Sequence, residues 1–395
     1  MLILVLNAGS SSLKFNLVDM EEEKTLAEGI AERIGISEGF IRWTIQGEKG
    51  RLELDMANHK KALAAIMEQL KHTVLGEDQD VDAVGHRVAH GGPNFGDSEV
   101  ITPAVLKEIE ELAFYAPLHN PASASGIRTA QELFPGVPQV AVFDTAFHHS
   151  MPEYAYTYGL PYELCQRLGL RRYGFHGTSH RYVAERTAAL IGKPLEASKI
   201  ITCHLGNGSS ITAVHNGHSV DTSMGLTPLE GVVMGTRSGN LDPGVLTTLM
   251  EQEKLDGPAL SALLNKKSGL LGISGVSSDC REVEEAMDKN KRAKLAHDVL
   301  CYGVLKYVGS YAAAMNGVDA ICFTAGIGEN SPGLRSWICD RLGFLGVAIN
   351  EEINGTRSKA DRFISTPDSK VAVVVVPTNE ELMIAREAKR LTSNN

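Results

Sequence analysis

The chain opens with an apolar run, LILVLN (2–7), that breaks into the small polar turn NAGSS (7–11) and resumes as SLKFNLVDM (12–20), where apolar and polar positions largely alternate. Side chains on a strand point to opposite faces with a period of two, so these segments predict a first strand and its hairpin partner. AVGHRVAHGG (83–92) and PQVAVFDTAF (138–147) read as further strands ending in polar residues, and VVVV (373–376) as a buried one leading into PTNEE. Apolar residues recur at helical spacing over 104–114, over 295–315 and in EELMIAREAKRL (380–391). Strands alternating with helices predict an α/β fold. The chemistry-bearing residues cluster just after the strands, where open α/β sheets bind ligands.

One pattern occurs twice. LNAGSSSLKFNLV (6–18) and LGNGSSITAVHNG (205–217) each follow an apolar run with Asn, Gly and a Ser-Ser pair and then return to strand-like sequence. Two strand-turn-strand units about 200 residues apart suggest a duplicated fold with one phosphate-handling turn per half. Glycine lets backbone N–H groups approach a ligand closely, and serine hydroxyls donate to an anion, so such a turn is suited to cradling phosphate. The GxxxxGK[ST] spacing is absent around Lys14, and the GIG of FTAGIGENS (323–331) lacks the third glycine of a dinucleotide fingerprint. Its place after the apolar DAICF still predicts a strand-to-helix turn that suits a nucleotide.

Composition narrows the class. With 395 residues, two or three domains of about 150 residues each are expected. A hydrophobic fraction of 43% and a charged fraction of 22% are ordinary for a globular protein. A net charge of -10 argues against general nucleic-acid binding, which needs a basic surface. No basic leader precedes the first strand and no apolar run reaches about 20 residues, so no membrane partner and a cytoplasmic location are expected. Six cysteines without a CxxC pair predict buried free thiols.

Reactive side chains gather in a few stretches: His86, Arg87 and His90 in GHRVAHGG, Asp144 in FDTAFHH, His176 and His180 in YGFHGTSH, and Arg237 in MGTRSGNLDP. The histidine pair has a spacing of four but lacks the Glu of HExxH, which weakens a zinc reading. No GxSxG elbow supports a serine triad.

NAGSSSLKF, HRVAHGG, APLHNPA, FDTAFH, YGFHGTSH, HLGNGSS, DTSMGLTPLEGVVMGTRSGNLDP, SGLLGISG, FTAGIGENS and PTNEE occur in that order. Together they resemble the acetate kinase family from residue 3 to about residue 390. The resemblance implies a duplicated ribonuclease H-like, actin-like ATPase fold with two domains around a nucleotide cleft: 1–147 plus 380–395, and 148–379, the second carrying nucleotide binding and dimerisation. It implies reversible transfer of the ATP γ-phosphoryl group to acetate with Mg2+, Mn2+ being a possible substitute, in a cytoplasmic homodimer. By this resemblance Arg87 and Arg237 are the active-site arginines, His176 donates a hydrogen bond to the transferring phosphoryl group, Asp144 orients the substrate arginine, and Asn7 and Glu380 position the metal. Lys14, Ser10 and Ser12 support the phosphates. His204, Leu205, Gly206, Asn207 and Gly208 form the second phosphate segment, while Asp279, Cys280, Arg281, Gly326, Ile327, Gly328 and Asn330 border the nucleoside of ATP or ADP. The acceptor fits these residue types, because a carboxylate is ionised at neutral pH and needs relief from charge repulsion rather than a general base.

The family's apolar substrate wall corresponds to Ala89, Leu118, Phe175 and Pro228. Ala89 departs from the Val common at that place and leaves room for another carbon, so propionate, or short carboxylates more broadly, is the alternative acceptor. A non-catalytic or chaperone-like ATPase is one rival, which gives Arg87, His176 and Arg237 no shared purpose; a nucleotide-binding regulator that responds to acyl phosphate without turnover is another, against which Asn7 and Glu380 argue.

Overall fold

The computed structural model describes residues 1–76, 80–117 and 119–393. The chain divides into two units, Met1–Phe147 together with the segment from Asn379 onward, and His148–Thr378.

In the first unit, β1 (Leu2–Ala8) pairs antiparallel with β2 (Ser12–Asp19), which sets Asn7 opposite Lys14. β3 (Lys24–Glu32), β4 (Phe40–Ile45) and β5 (Glu48–Glu53) extend the antiparallel meander. On the other side of β1 lies β6 (Ala83–Val88), parallel to it. β7 (Glu99–Val100) closes the edge against β8 (Gln139–Phe143), and β8 runs parallel to β6. In the second unit β9 (Lys199–Leu205), β10 (Ser209–His215) and β11 (His218–Thr222) form an antiparallel meander. β12 (Ala320–Thr324) then runs parallel to β9, β13 (Arg362–Phe363) lies at the edge, and β14 (Ala372–Val375) is parallel to β12.

The sheet orders are β5-β4-β3-β2-β1-β6-β8-β7 and β11-β10-β9-β12-β14-β13. Both contain a three-strand meander whose first strand is followed outward by two parallel strands, the ribonuclease H-like arrangement. The NAGSS and GNG turns join the first two strands of their respective sheets, so the internal sequence similarity is a duplicated structural position.

β1 is buried over Ile3–Leu6, and the helix His59–Leu70 covers the sheet with Ala62, Leu63, Ile66 and Leu70. Burying a leucine or isoleucine side chain contributes about 1.5–3 kcal/mol, and the helical spacing places all four on one face. In the second unit the helix Lys291–Ala314 buries Ala296, Leu300, Val304 and Val308 in the core around β9 and β12. It begins before the apolar periodicity does, because the Asn290 side chain accepts hydrogen bonds from the Arg292 and Ala293 N–H groups and so caps a polar first turn. The helix predicted over 104–114 is α-helical over Pro103–Glu111 and tightens into a 3-10 turn at Leu112–Phe114. All six cysteines are buried free thiols.

The C-terminal helix Glu380–Thr392 packs on the first unit's sheet. Gly85 permits this approach, since a Cβ there would stand 2.7 Å from Ile384 Cγ2. Asn379 belongs with this helix because its side chain caps it, accepting from the Leu382 N–H at 3.0 Å. Arg386 adds a two-bond pair with Glu23 at the β2–β3 turn.

Gly269 has a comparable part in the second unit. Its φ is +68°, and a Cβ would collide with the Met234 carbonyl and lie 2.9 Å from both Arg237 N and O. Gly269→Ala should therefore destabilise the protein by about 2 kcal/mol or more, because both the left-handed backbone and the backbone contact resist relaxation. The urea midpoint measures this, and an unchanged value would show that the Arg237 loop is not held by this contact.

Candidate active site

The first unit assembles a charged recess at the ends of β1 and β6. Arg87, on β6, donates from Nε to Asp144 Oδ1 at 3.0 Å and from Nη2 to Asp144 Oδ2 at 2.6 Å. Asp144 directly follows β8 and is buried, with its N–H bonded to the Val88 carbonyl. This planar two-bond fork fixes the guanidinium, and the adjacent carboxylate holds its pKa above the ordinary arginine value. Val5, Asn7, Lys14, Asn16, Arg87, Glu380, Glu381 and Ile384 line one recess. Burial pushes the Glu380 carboxyl up against the pull of Arg87, and with Asp144 and Glu381 adding to the rise and Lys14 opposing it, the group reaches about 7.

The crowding of acids around Glu380 fits a divalent cation, whose charge would relieve it. No group of three His, Cys, Asp or Glu residues that could hold a metal occurs among the described residues. A partial set such as Asn7 and Glu380 suits Mg2+, which keeps waters and shares its shell with substrate phosphates.

The loop after Arg87 is clamped from outside. The buried Asn120 accepts from the His90 N–H at 3.1 Å and donates to the His90 carbonyl at 2.9 Å. His90 stacks on Tyr115, with ring centroids 4.9 Å apart. Gly9 N–H donates to the Ser12 carbonyl at 2.8 Å and closes the first turn, leaving Ser10 exposed.

In the second unit, His176, Gly208 and Arg237 converge. A Cβ built on Gly208 would lie 3.4 Å from His176 Nε2 and 3.3 Å from Arg237 Nη1. His176 precedes the helix Gly177–Leu190 with φ 56° and ψ 25°, a left-handed conformation that costs a non-glycine residue of order 1 kcal/mol. Its ring stacks on His204 with centroids 4.1 Å apart, and its Nδ1 lies 2.9 Å from Ser210 Oγ. Arg237 donates from Nη1 to the Pro228 carbonyl at 3.2 Å and approaches the Met234 sulfur. It forms no carboxylate pair among the described residues, and burial lowers its pKa from the ordinary value. Phe175 packs with Met224 and Met234.

The second turn is closed by Gly206 N–H donating to the Gly208 carbonyl at 3.1 Å, with the Asn207 side chain exposed beyond it. Ala325, at φ 63°, begins the helix Ala325–Asn330 next to Gly206. Gly326 faces open space, while the buried Arg335 donates to the Gly328 carbonyl at 2.7 Å and holds this segment in place. Asp279 caps the helix Cys280–Ala286 and pairs with the exposed Arg281. Ser331 Oγ donates to Glu284 at 2.5 Å, tying that helix to the end of FTAGIGENS.

Several expected contact residues face inward. Leu205 lies in the core, and His204 is buried with Nδ1 2.7 Å from Ser179 Oγ. The Cys280 thiol points at Glu284, and Ile327 packs against the core. Ala89 is half-buried just beyond β6, and Leu118 lies outside the described residues. Sequence reasoning did not single out Ser210, Asn120 or Arg335, and it noted Glu381 after VVVVPTNEE without giving it a role. The Ser-Ser pair of HLGNGSS and the Asn of APLHNPA were the available signals for the first two.

Two ribonuclease H-like sheets, each with a glycine-rich turn after its first strand and an arginine near that turn, fit the class of phosphoryl-transferring kinases. The model of the acetokinase family matches residues 2–386. Acetate kinase from Halothermothrix orenii is 53% identical over 399 residues, covering 100% of both chains. The crystal structure of Porphyromonas gingivalis acetate kinase superposes with a TM-score of 0.95 at 48% identity, covering 99% of each chain. A propionate kinase structure from Francisella tularensis gives 0.92 at 42% identity, again covering 99% of each. The chain belongs to the acetokinase family and is a kinase acting on a carboxylate.

The buried histidines give a pH signature. Burial lowers His86 and His148 from 6.5 to about 4 and lowers His180 well below 6.5. Between pH 6.5 and about 4 the unfolded chain therefore binds more protons than the folded one, so stability is full above that window and falls as pH drops through it. Urea midpoints from about pH 7.5 to about 4.5 should decrease, and His86→Gln, which keeps a donor for Gln139, should lessen the fall. A midpoint independent of pH would contradict this.

Proposed function

We propose that the protein transfers the γ-phosphoryl group of ATP to acetate, reversibly and in line, giving acetyl phosphate and ADP. The observation that carries this reading is the pair of arginines in different electrostatic states. Arg87 is fixed by a two-bond fork to Asp144, and Arg237 is held by a carbonyl and a thioether, with no carboxylate partner among the described residues.

Arg87 would hold the acceptor carboxylate, with Asp144 occupied in orienting it and so unsuited to act as a base. In the second unit Arg237 and His176 would bind phosphoryl oxygens, stabilising charge that spreads over them in the transition state. Asn7 and Glu380 would hold Mg2+, which when bound neutralises phosphate charge. Lys14, Ser10 and Ser12 would support phosphates in the first turn, and Asn207 and Gly208 in the second. Asp279, Arg281, Gly326, Ile327 and Asn330 would border the nucleoside. Homodimerisation through the second unit and a cytoplasmic location belong to the same proposal and rest on family membership.

Ala89 favours a second acceptor. A valine there would fill space that alanine leaves, and one methylene in an apolar pocket is worth about 1–3 kcal/mol of discrimination. We include propionate as a good substrate on that ground.

Trapping acyl phosphate with hydroxylamine, and comparing kcat/KM for acetate, propionate and butyrate with ATP and Mg2+, tests both parts. Acetate should give the highest value with propionate close to it, and no product from any acid would reject the proposal. Arg87→Ala and Arg237→Ala should each lower kcat by at least about 100-fold in the same assay, the scale for removing a charge-stabilising donor. Ala89→Val should lower the propionate-to-acetate ratio of kcat/KM by about tenfold, and an unchanged ratio would remove Ala89 from specificity.

A further inference from the structure

We propose that Ser210 and His180 are positioning residues that hold His176 as the tautomer with its hydrogen on Nε2, presenting that N–H to the transferring phosphoryl group. The inference rests on the function proposed above and deepens the part given to His176.

The assignment follows from counting hydrogens. Ser210 Oγ lies 2.9 Å from His176 Nδ1 and 2.7 Å from His180 Nε2. Its single hydrogen can serve only one of those nitrogens, so the other ring must donate to it. On the far side of His180, Nδ1 lies 2.7 Å from Thr202 Oγ1. The other acceptor for the Thr202 hydroxyl is the Thr212 carbonyl at 3.5 Å, at the outer limit of a hydrogen bond. Thr202 therefore donates to His180 Nδ1. His180 is fully buried, and desolvation together with His148 and His204 keeps it neutral, so its one ring hydrogen sits on Nε2 and goes to Ser210. Ser210 in turn donates to His176 Nδ1, and the hydrogen of the neutral His176 ring is left on Nε2.

The opposite orientation turns every donor around. It would put the Thr202 hydrogen on the 3.5 Å contact and leave His176 Nε2 as an acceptor, which offers nothing to a phosphoryl oxygen. A doubly protonated His176 would require Ser210 to accept from both rings and would set a second cation beside Arg237. The Nε2 edge is the one that faces the phosphate turn, 3.4 Å from where a Gly208 Cβ would be. Stacking on His204, itself held by Ser179, fixes the plane of the ring while the relay fixes its hydrogen.

Histidine-selective 15N labelling of the full chain tests this, with the His176 signals assigned by their loss in His176→Asn. A protonated Nε2 and a pyridine-like Nδ1 are expected in the unaltered protein, and a protonated Nδ1 overturns the proposal. Ser210→Ala should mix the tautomers and lower kcat about tenfold while KM for acetate and ATP stays within about twofold, a smaller loss than removing the donor itself. Ser210→Thr, which keeps the hydroxyl, should restore most of kcat. An unchanged tautomer in Ser210→Ala, or a rise in KM equal to the fall in kcat, also overturns it. If Ser210→Ala does not fold, the spectrum of the unaltered protein decides alone. Absence of acyl phosphate formation by the unaltered protein rejects the proposed function, while the tautomer is read independently.

Discussion

A carboxylate that attacks a phosphoryl group must approach one anion with another, so the scaffold has to offer positive charge that it has not already neutralised. On the function proposed here, Arg87 supplies placement and Arg237 supplies the charge that is not cancelled. Arg87 is given geometry by a fork to Asp144, which uses Nε and Nη2. Arg237 is given potential instead: a carbonyl and a sulfur hold it, and among the described residues no carboxylate pairs with it. Burying a cation without a counter-charge costs stability. Its presence in the Gly208 turn therefore makes sense as provision for an anionic ligand rather than as a contribution to folding.

The duplicated fold explains why the glycine- and serine-rich turn recurs at one position. In each sheet the first strand ends in a tight turn whose backbone closes on itself, Gly9 to Ser12 in one and Gly206 to Gly208 in the other. These internal bonds fix the turn and leave Ser10 and Asn207 exposed. Around the second turn, non-glycine residues in left-handed conformation, His176 and Ala325, stand where helices begin. Such strain persists only where the surroundings determine the backbone. The His204 stack, the Ser210 contact and the Arg335 bond to Gly328 supply that determination.

The strands and long helices were legible because the periodicity of LILVLN, SLKFNLVDM and residues 104–114 and 295–315 directly reports which faces are buried. The reactive residues were legible as motifs beside glycine-rich turns. The direction of each side chain was not. Leu205 and Cys280 lie within motif segments yet point into the core, because strand alternation and helix facing decide that, and a motif string does not encode it. Asn120 and Ser210 escaped notice for a different reason. Each acts through a partner distant in sequence, Asn120 on the backbone of His90 and Ser210 on two histidines from another element, and such pairings are set only when the chain has folded.

The choice of groups around His176 follows from the same need for uncancelled charge. In a Ser-His-Asp arrangement a carboxylate orients the imidazole and stabilises its protonated form, which suits a base that must accept a proton. The hydroxyls of Ser210, Thr202 and Ser179 stand against the ring nitrogens of His176, His180 and His204. Hydroxyls fix a ring's hydrogen without adding negative charge, so they leave the potential of Arg237 intact. A carboxylate in place of Ser210 would orient His176 as firmly but would draw charge onto the ring and oppose an incoming phosphate. An acceptor that arrives already ionised requires no base, and orientation by neutral groups is the solution that keeps the turn open to anions.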